Sequence, residues 1–305
     1  MSRKLLFPGL VLLLIAAFAV PAVAGDGSDT IGSCKLLPQL RYSYSNPLWD
    51  NYEYYQMYVK MGDLDNDFDT TKRMHLYYAQ LNFGITDYVD IYTLVGTASM
   101  RSEYWAEDPT AWGTTFEYGW VNNNPHGFLW GVGLKGTFLR FDNGLYLGTG
   151  VSFNEVRVYD VNYKEYSDGV QSHDSINSAE KAGWHEYNLY ADLHAGWHIK
   201  KIGLTPYVGV QYRWGWADMQ FYGPGANVWK EYYQPENPWG MYVGADYYLN
   251  DKLYVNVQGN LINQWGVDVG IGYLFDICGK PKPVAAPPAA PAPVIEPKLE
   301  PMSYK

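Results

Sequence analysis

Apolar and polar residues alternate with a period of two along ten segments of the chain. The pattern is plainest in FLWGVGLKGTFLRF, residues 128–141, and in LYLGTGVSFNEV, residues 145–156. In the first, Phe128, Trp130, Val132, Leu134 and Phe138 take one parity, against Leu129, Gly131, Gly133, Lys135 and Thr137. Successive strand side chains point to opposite faces, so each run predicts a strand with one apolar face and one small or polar face. Asp142-Asn143-Gly144 supplies the tight turn, because Asn and Gly tolerate positive φ. Similar alternation predicts strands at 36–45, 74–85, 89–98, 187–199, 204–217, 241–249, 253–261 and 265–275.

The connections fall into two classes. Those at 86–88, 142–144, 200–203 and 250–252 are short, and those at 46–72, 101–126, 160–183 and 222–238 are long and polar. They alternate, apart from a short one at 262–264. Segments of about ten residues joined alternately by short turns and long loops predict an all-β transmembrane antiparallel β-barrel. Ten strands is the expected count, with eight or twelve as alternatives. Tyr54–Met61 reads as part of a hairpin above the membrane.

The N-terminus places such a barrel outside the cytoplasm. A basic start, Arg3-Lys4, precedes an apolar run from Leu5 to Val20 and then Ala22-Val23-Ala24, the pattern of a secretory signal peptide over 1–24. Its removal takes away two cations and no carboxylate, so the charge moves from −10 to −12. That balance carries no expectation of nucleic-acid binding. The 29 Tyr and 12 Trp suit a membrane–water interface. Residues 25–33 read as a short polar periplasmic lead and 34–278 as the barrel. The stretch from Gly279 to Lys305 reads as an extended Pro/Ala-rich periplasmic tail, since proline removes donors and fixes φ.

Candidate chemistry is sparse. On the inward parity stand Arg41, Asp90, Lys135, Asp192, His194, Arg213, Asp246 and Asp268. With lipid outside, charges belong inside, where they either pair as a plug or line a narrow pore. Cys34 and Cys278 flank the first and last strands, which are neighbours in a closed barrel, and predict a disulfide at the seam. Asp63, Asp65, Asp67 and Asp69 are spaced like the first half of a calcium loop. Phe68 and Met74 stand where such a loop has Gly and Glu, so a solvated acidic loop, at most holding a divalent cation loosely, is expected. No other cofactor is expected. His173-Asp174-Ser175 has the residue types of a hydrolase, but triads are defined by geometry and a polar loop explains them equally. Trp105, Trp112, Trp120 and Trp229 read as girdle or loop packing.

The layout resembles OmpA-like outer-membrane barrels: a signal peptide, an alternating barrel whose last strand, GVDVGIGYLF, ends in an aromatic, and then a Pro-Ala segment. The resemblance implies a bacterial outer-membrane protein with both termini in the periplasm. It departs in strand number and in having no peptidoglycan-binding domain after the hinge. The expected function is a small outer-membrane barrel, structural or narrow and porin-like, whose loops and tail are contact surfaces. Its expected partners are membrane lipid, lipopolysaccharide and a periplasmic or outer-membrane protein. An outer-membrane hydrolase or lipid-modifying enzyme, and a partner-binding scaffold, are the alternatives.

Overall fold

A computed structural model describes residues 28–278 apart from 48, 57–58, 63–68, 108–114, 122–126, 168–169, 175–180, 223–228 and 263. Ten strands form its wall: β1 (Lys35–Pro47), β2 (Asp69–Gly84), β3 (Val89–Glu107), β4 (Gly127–Arg140), β5 (Leu145–Ser167), β6 (Lys181–Trp197), β7 (Leu204–Tyr222), β8 (Trp239–Tyr248), β9 (Leu253–Leu261) and β10 (Gln264–Tyr273). Each pairs antiparallel with the next in sequence. The ring closes where β10 meets β1, in a register running from Gln39↔Gly272 to Pro47↔Gln264. The protein is a closed antiparallel ten-stranded β-barrel, and closure leaves no unpaired edge in the wall.

The outer surface shows why this sequence folds in lipid. Phe128, Trp130, Val132, Leu134 and Phe138 of β4 all point outward and are exposed. Ten residues of strand rise about 34 Å, or roughly 26 Å along a barrel axis tilted by about 40°, which matches an apolar band of about 25 Å. Aromatic pairs rim the upper edge. Trp130 meets Phe153 edge-on at 5.5 Å, and Tyr187 stacks on Trp216 at 5.0 Å. At the opposite edge Tyr88, Phe138, Phe141, Trp197 and Phe275 are exposed. Rings with wet tips and buried bodies belong at these two levels.

Above the upper rim the strands continue, and here the sequence expectation needs correction. The stretches expected as long loops are largely strand. β3 reaches Glu107, β5 reaches Ser167, β6 begins at Lys181 and β7 reaches Tyr222. Five short strands join them, at Trp49–Gln56, Val59–Gly62, Thr115–Val121, Val170–Asp174 and Trp229–Pro235. Thr115–Val121 takes the place of β4 between β3 and β5 once β4 has ended. Trp49–Gln56 pairs with Trp229–Pro235, which pairs with β7, so extensions of β1 and β7 meet beyond the shorter β8, β9 and β10.

The polarity of the wall inverts at this rim. On β5 the outward parity runs Leu147, Val151, Phe153 and then Glu155, which is covered by its partners Trp130, Arg157 and His185, and Arg157, while the inward positions run Ser152, Asn154 and then Val156, Val158. β6 and β7 do the same: inward Asp192, Asn188 and Glu186 give way to Trp184 and Ala182, and inward Arg213 gives way to Ala217 and Met219. In lipid the outside must be apolar; above lipid the outside meets water and the apolar side chains turn in. The upper interior is a core of Met74, Leu76, Met100, Leu129, Val156, Val158, Trp184 and Met219 with their neighbours.

Lower down, lumen tyrosines lie across glycines of the adjacent strand. A Cβ at 133 would fall within the ring of Tyr92, and Gly209 bears the same relation to Tyr242. The glycines let large rings lie flat against the wall of a narrow barrel. Gly133→Ala is expected to cost about 1–3 kcal/mol by forcing Tyr92 off its seat. Urea-unfolding midpoints of the detergent-solubilised parent and variant measure it, and equal midpoints would contradict this packing.

Candidate functional site in the barrel lumen

The lumen is where this chain concentrates its buried charge. All eight inward candidates face the interior and are buried, from Asp90 at 0% exposure to Arg41 and Asp192 at 7%. They fall into four clusters rather than one network.

At the seam, Arg41 of β1 donates from Nε to Asp268 Oδ1 of β10 at 2.7 Å. Its Nη1 donates to Gln80 at 3.1 Å and its Nη2 to Asn256 at 2.9 Å. Tyr78 donates its hydroxyl to the other Asp268 oxygen. Asn256 then donates to Asp246 at 2.7 Å, which also accepts from the Tyr254 hydroxyl at 2.8 Å. So one guanidinium connects β1, β2, β9 and β10 across the closing seam, and Asp246 continues the chain of bonds to β8. Register places the pair: Ser43 faces Asp268, so Arg41 lies one inward step away on the adjacent strand.

On the opposite wall, Arg213 of β7 donates to Asn188 at 2.7 Å and to Glu186 at 3.1 Å. Trp184 Nε1 donates to the other oxygen of Glu186 at 3.0 Å. The alternation reading begins its sixth strand at Tyr187 and so misses Glu186, the anion that Arg213 requires. Asp192 contacts the His194 ring at 2.7 Å and accepts from Tyr242 at 2.8 Å. The tyrosine hydroxyls of these clusters carry no sequence signal, because each partner lies on another strand.

The fourth cluster narrows the mouth. Lys135 lies 3.9 Å from Asp90 and donates to Ser28 Oγ. Asp90 also accepts the Ile31 backbone N–H at 2.8 Å. Arg140 donates to Asp29 at 2.8 Å, and Thr30 donates to the Asp87 carbonyl at 3.0 Å. Ser28, Thr30 and Ile31 are buried as a result. The described part of the expected lead is therefore a partial stopper inside the barrel end, not a free segment: it fills the side lined by Asp87, Asp90 and Arg140 and leaves a cavity of about 850 Å³ beside His198, Thr205 and Asp246. Ser33 donates twice to Asp87 Oδ1, at 3.0 Å and 2.8 Å, and these bonds hold that carboxyl below its ordinary value. Cys34 and Cys278 form a disulfide with Cα atoms 5.4 Å apart, directly beneath the β1–β10 seam.

The remaining candidates do not join a site. Asp63, Asp65 and Asp67 lie outside the described residues, and Asp69 opens β2 with its side chain outside them. Among the described residues no group of three or more metal-ligating side chains converges. His173 and Asp174 lie on Val170–Asp174, with side chains outside the described set, as are those of Trp105, Trp112, Trp120 and Trp229. Residues 1–24 and 279–305 are outside it too.

No protein-family model and no curated protein matches the chain. Among solved structures it is similar to the outer membrane protein OprG of Pseudomonas aeruginosa, at 9% identity and TM-score 0.44 over 81% of this chain and 98% of that one. It is similar to the outer membrane protease OmpT of Escherichia coli, at 13% identity and TM-score 0.48 over 79% and 97%. The translocator domain of the autotransporter NalP of Neisseria meningitidis follows at 10% identity and TM-score 0.39 over 88% and 95%. The likeness is to outer-membrane barrels in general, and the closed ten-strand ring rests on this chain's own pairing. The OmpA-like resemblance is one of layout only, since ten strands form the wall where the OmpA barrel has eight.

Proposed function

We propose that this protein is a non-conducting outer-membrane barrel, a structural scaffold whose raised outer rim is its contact surface. One observation carries the reading: the lumen side chains are buried and bonded to one another, and the N-terminal segment narrows the mouth. A water-filled pore would leave its charged side chains wet, whereas here Arg41, Lys135 and Arg213 are all packed among partners. An apolar core fills the interior above the rim. The outer belt supports a place in lipid, and the disulfide supports an oxidising compartment. The mouth with the N-terminal segment and short turns would face the periplasm, and the raised end would stand among lipopolysaccharide and outside partners. The tail would extend toward a periplasmic protein.

Conductance of the purified full chain in a planar bilayer tests this. Silence is expected. Steady, reproducible channel events from the parent would overturn the scaffold reading in favour of a pore. Removing residues 25–31 takes out the stopper and is expected to give brief openings at most, because the Arg41 and Arg213 clusters still fill the lumen.

A further inference from the structure

The outward face of the barrel is not uniformly filled. In its lower half Ala79 stands between Leu40 and Val95 on the neighbouring strands, and Leu81 stands between Pro38 and Thr93. Short side chains beside long ones leave a groove of about 540 Å³ on the lipid-facing surface. Its walls are apolar, including Ile271 and Tyr273, both well exposed toward lipid. One end reaches Leu253, the first residue of β9, just above the turn at 250–252. There Lys252 is exposed, with its Nζ 5.9 Å from the centre of the Tyr273 ring. The turn is held by Asn250, whose side chain accepts from the Lys252 and Leu253 amides at 2.9 and 2.8 Å. The apolar trough therefore ends beside an exposed ammonium at the membrane edge, on a turn whose backbone is held in place.

We infer that this groove is a site for one anionic phospholipid of the leaflet at the short-turn end, its acyl chain along Ala79 and its phosphate at Lys252. The two halves fit the two halves of such a lipid. The trough buries methylenes that would otherwise bridge an uneven wall, and the ammonium meets the phosphate where a snorkelling lysine belongs. A second protein copy would need a protruding apolar knob to fill the trough, and it would gain nothing from the cation.

This inference rests on the membrane reading, and the test separates the two. The parent, Ala79→Leu and Lys252→Gln are each folded into vesicles of phosphatidylethanolamine and phosphatidylglycerol, extracted in mild detergent and weighed by native mass spectrometry. Failure of the parent to insert as a heat-resistant folded band would sink the membrane reading. With insertion secured, the parent is expected to keep one phosphatidylglycerol. Ala79→Leu fills the trough and should lose that adduct. Lys252→Gln should lower phosphatidylglycerol retention about fivefold relative to phosphatidylethanolamine, the factor for one lysine at an anionic surface. An adduct unchanged by Ala79→Leu, or an unchanged lipid preference in Lys252→Gln, would overturn the site.

Discussion

Arg41→Ala is expected to destabilise the barrel by about 3–5 kcal/mol, the usual cost of stranding one member of a buried ion pair. Arg41 binds Asp268, Gln80 and Asn256, so its loss leaves a carboxylate and two amides short of a donor at the seam. Tyr78 still donates to Asp268, which softens the loss without replacing the charge. The companion variants make the test sharp. Asp268→Asn keeps the shape and should cost less than Arg41→Ala. Arg41→Leu combined with Asp268→Leu removes both charges and should recover much of the loss, since replacing a buried pair by apolar groups is often near neutral. Urea midpoints in one detergent decide it. If Arg41→Ala were within about 0.5 kcal/mol of the parent, as surface substitutions are, the seam cluster would not be holding β1 to β10.

Breaking the Cys34–Cys278 bond is the second large expected effect. The two residues are 244 positions apart, so the bond closes a loop that spans the whole barrel. On a chain-entropy account such a loop is worth about 5 kcal/mol, an upper figure because unfolded chains keep some compactness. The folded contribution is local. Cys34 donates its amide to Gly84 at 3.0 Å and accepts from Ile277 at 3.0 Å, so the bond fastens the start of β1 to the strand pair formed with Phe275–Asp276. It also anchors the stopper, because Ser28 to Ser33 enters the mouth immediately before Cys34. Reduction, or Cys34→Ser, should lower the urea midpoint strongly and shift mobility on non-reducing gels. A parent and variant that ran and unfolded alike would show that the bond does not form in the protein.

Much of the architecture was legible along the chain, and the reason is local. Inside lipid a strand must be apolar on one side, so Phe128 to Phe138 announced its own length, face and solvent. The up-and-down order was legible from the turns, because short and long connections alternate, and closure followed from lipid, which leaves no strand edge unpaired. The inward parity of Arg41, Lys135, Arg213 and Asp268 followed from the same rule. Where alternation changed phase the reading stopped short. At Phe153 the apolar parity of β5 passes to Val156 and Val158, which looks like the end of a strand. It is instead the same strand leaving lipid for water. The stretches taken for loops were missed for that reason, and Glu186 was missed with them, since it lies where β6 crosses the rim.

By itself the sequence determined that there would be a wall, roughly how tall its apolar band is and which side chains face in. These depend on period, length and solvent, all properties of one strand at a time. Only the tertiary structure decided who pairs with whom. Arg41 with Asp268, Arg213 with Glu186 and Ser28 with Lys135 depend on register and on a segment entering the mouth, and each joins residues far apart in the chain. Whether those inward charges line a passage or fill it is likewise a matter of distance between walls, which no strand carries within itself.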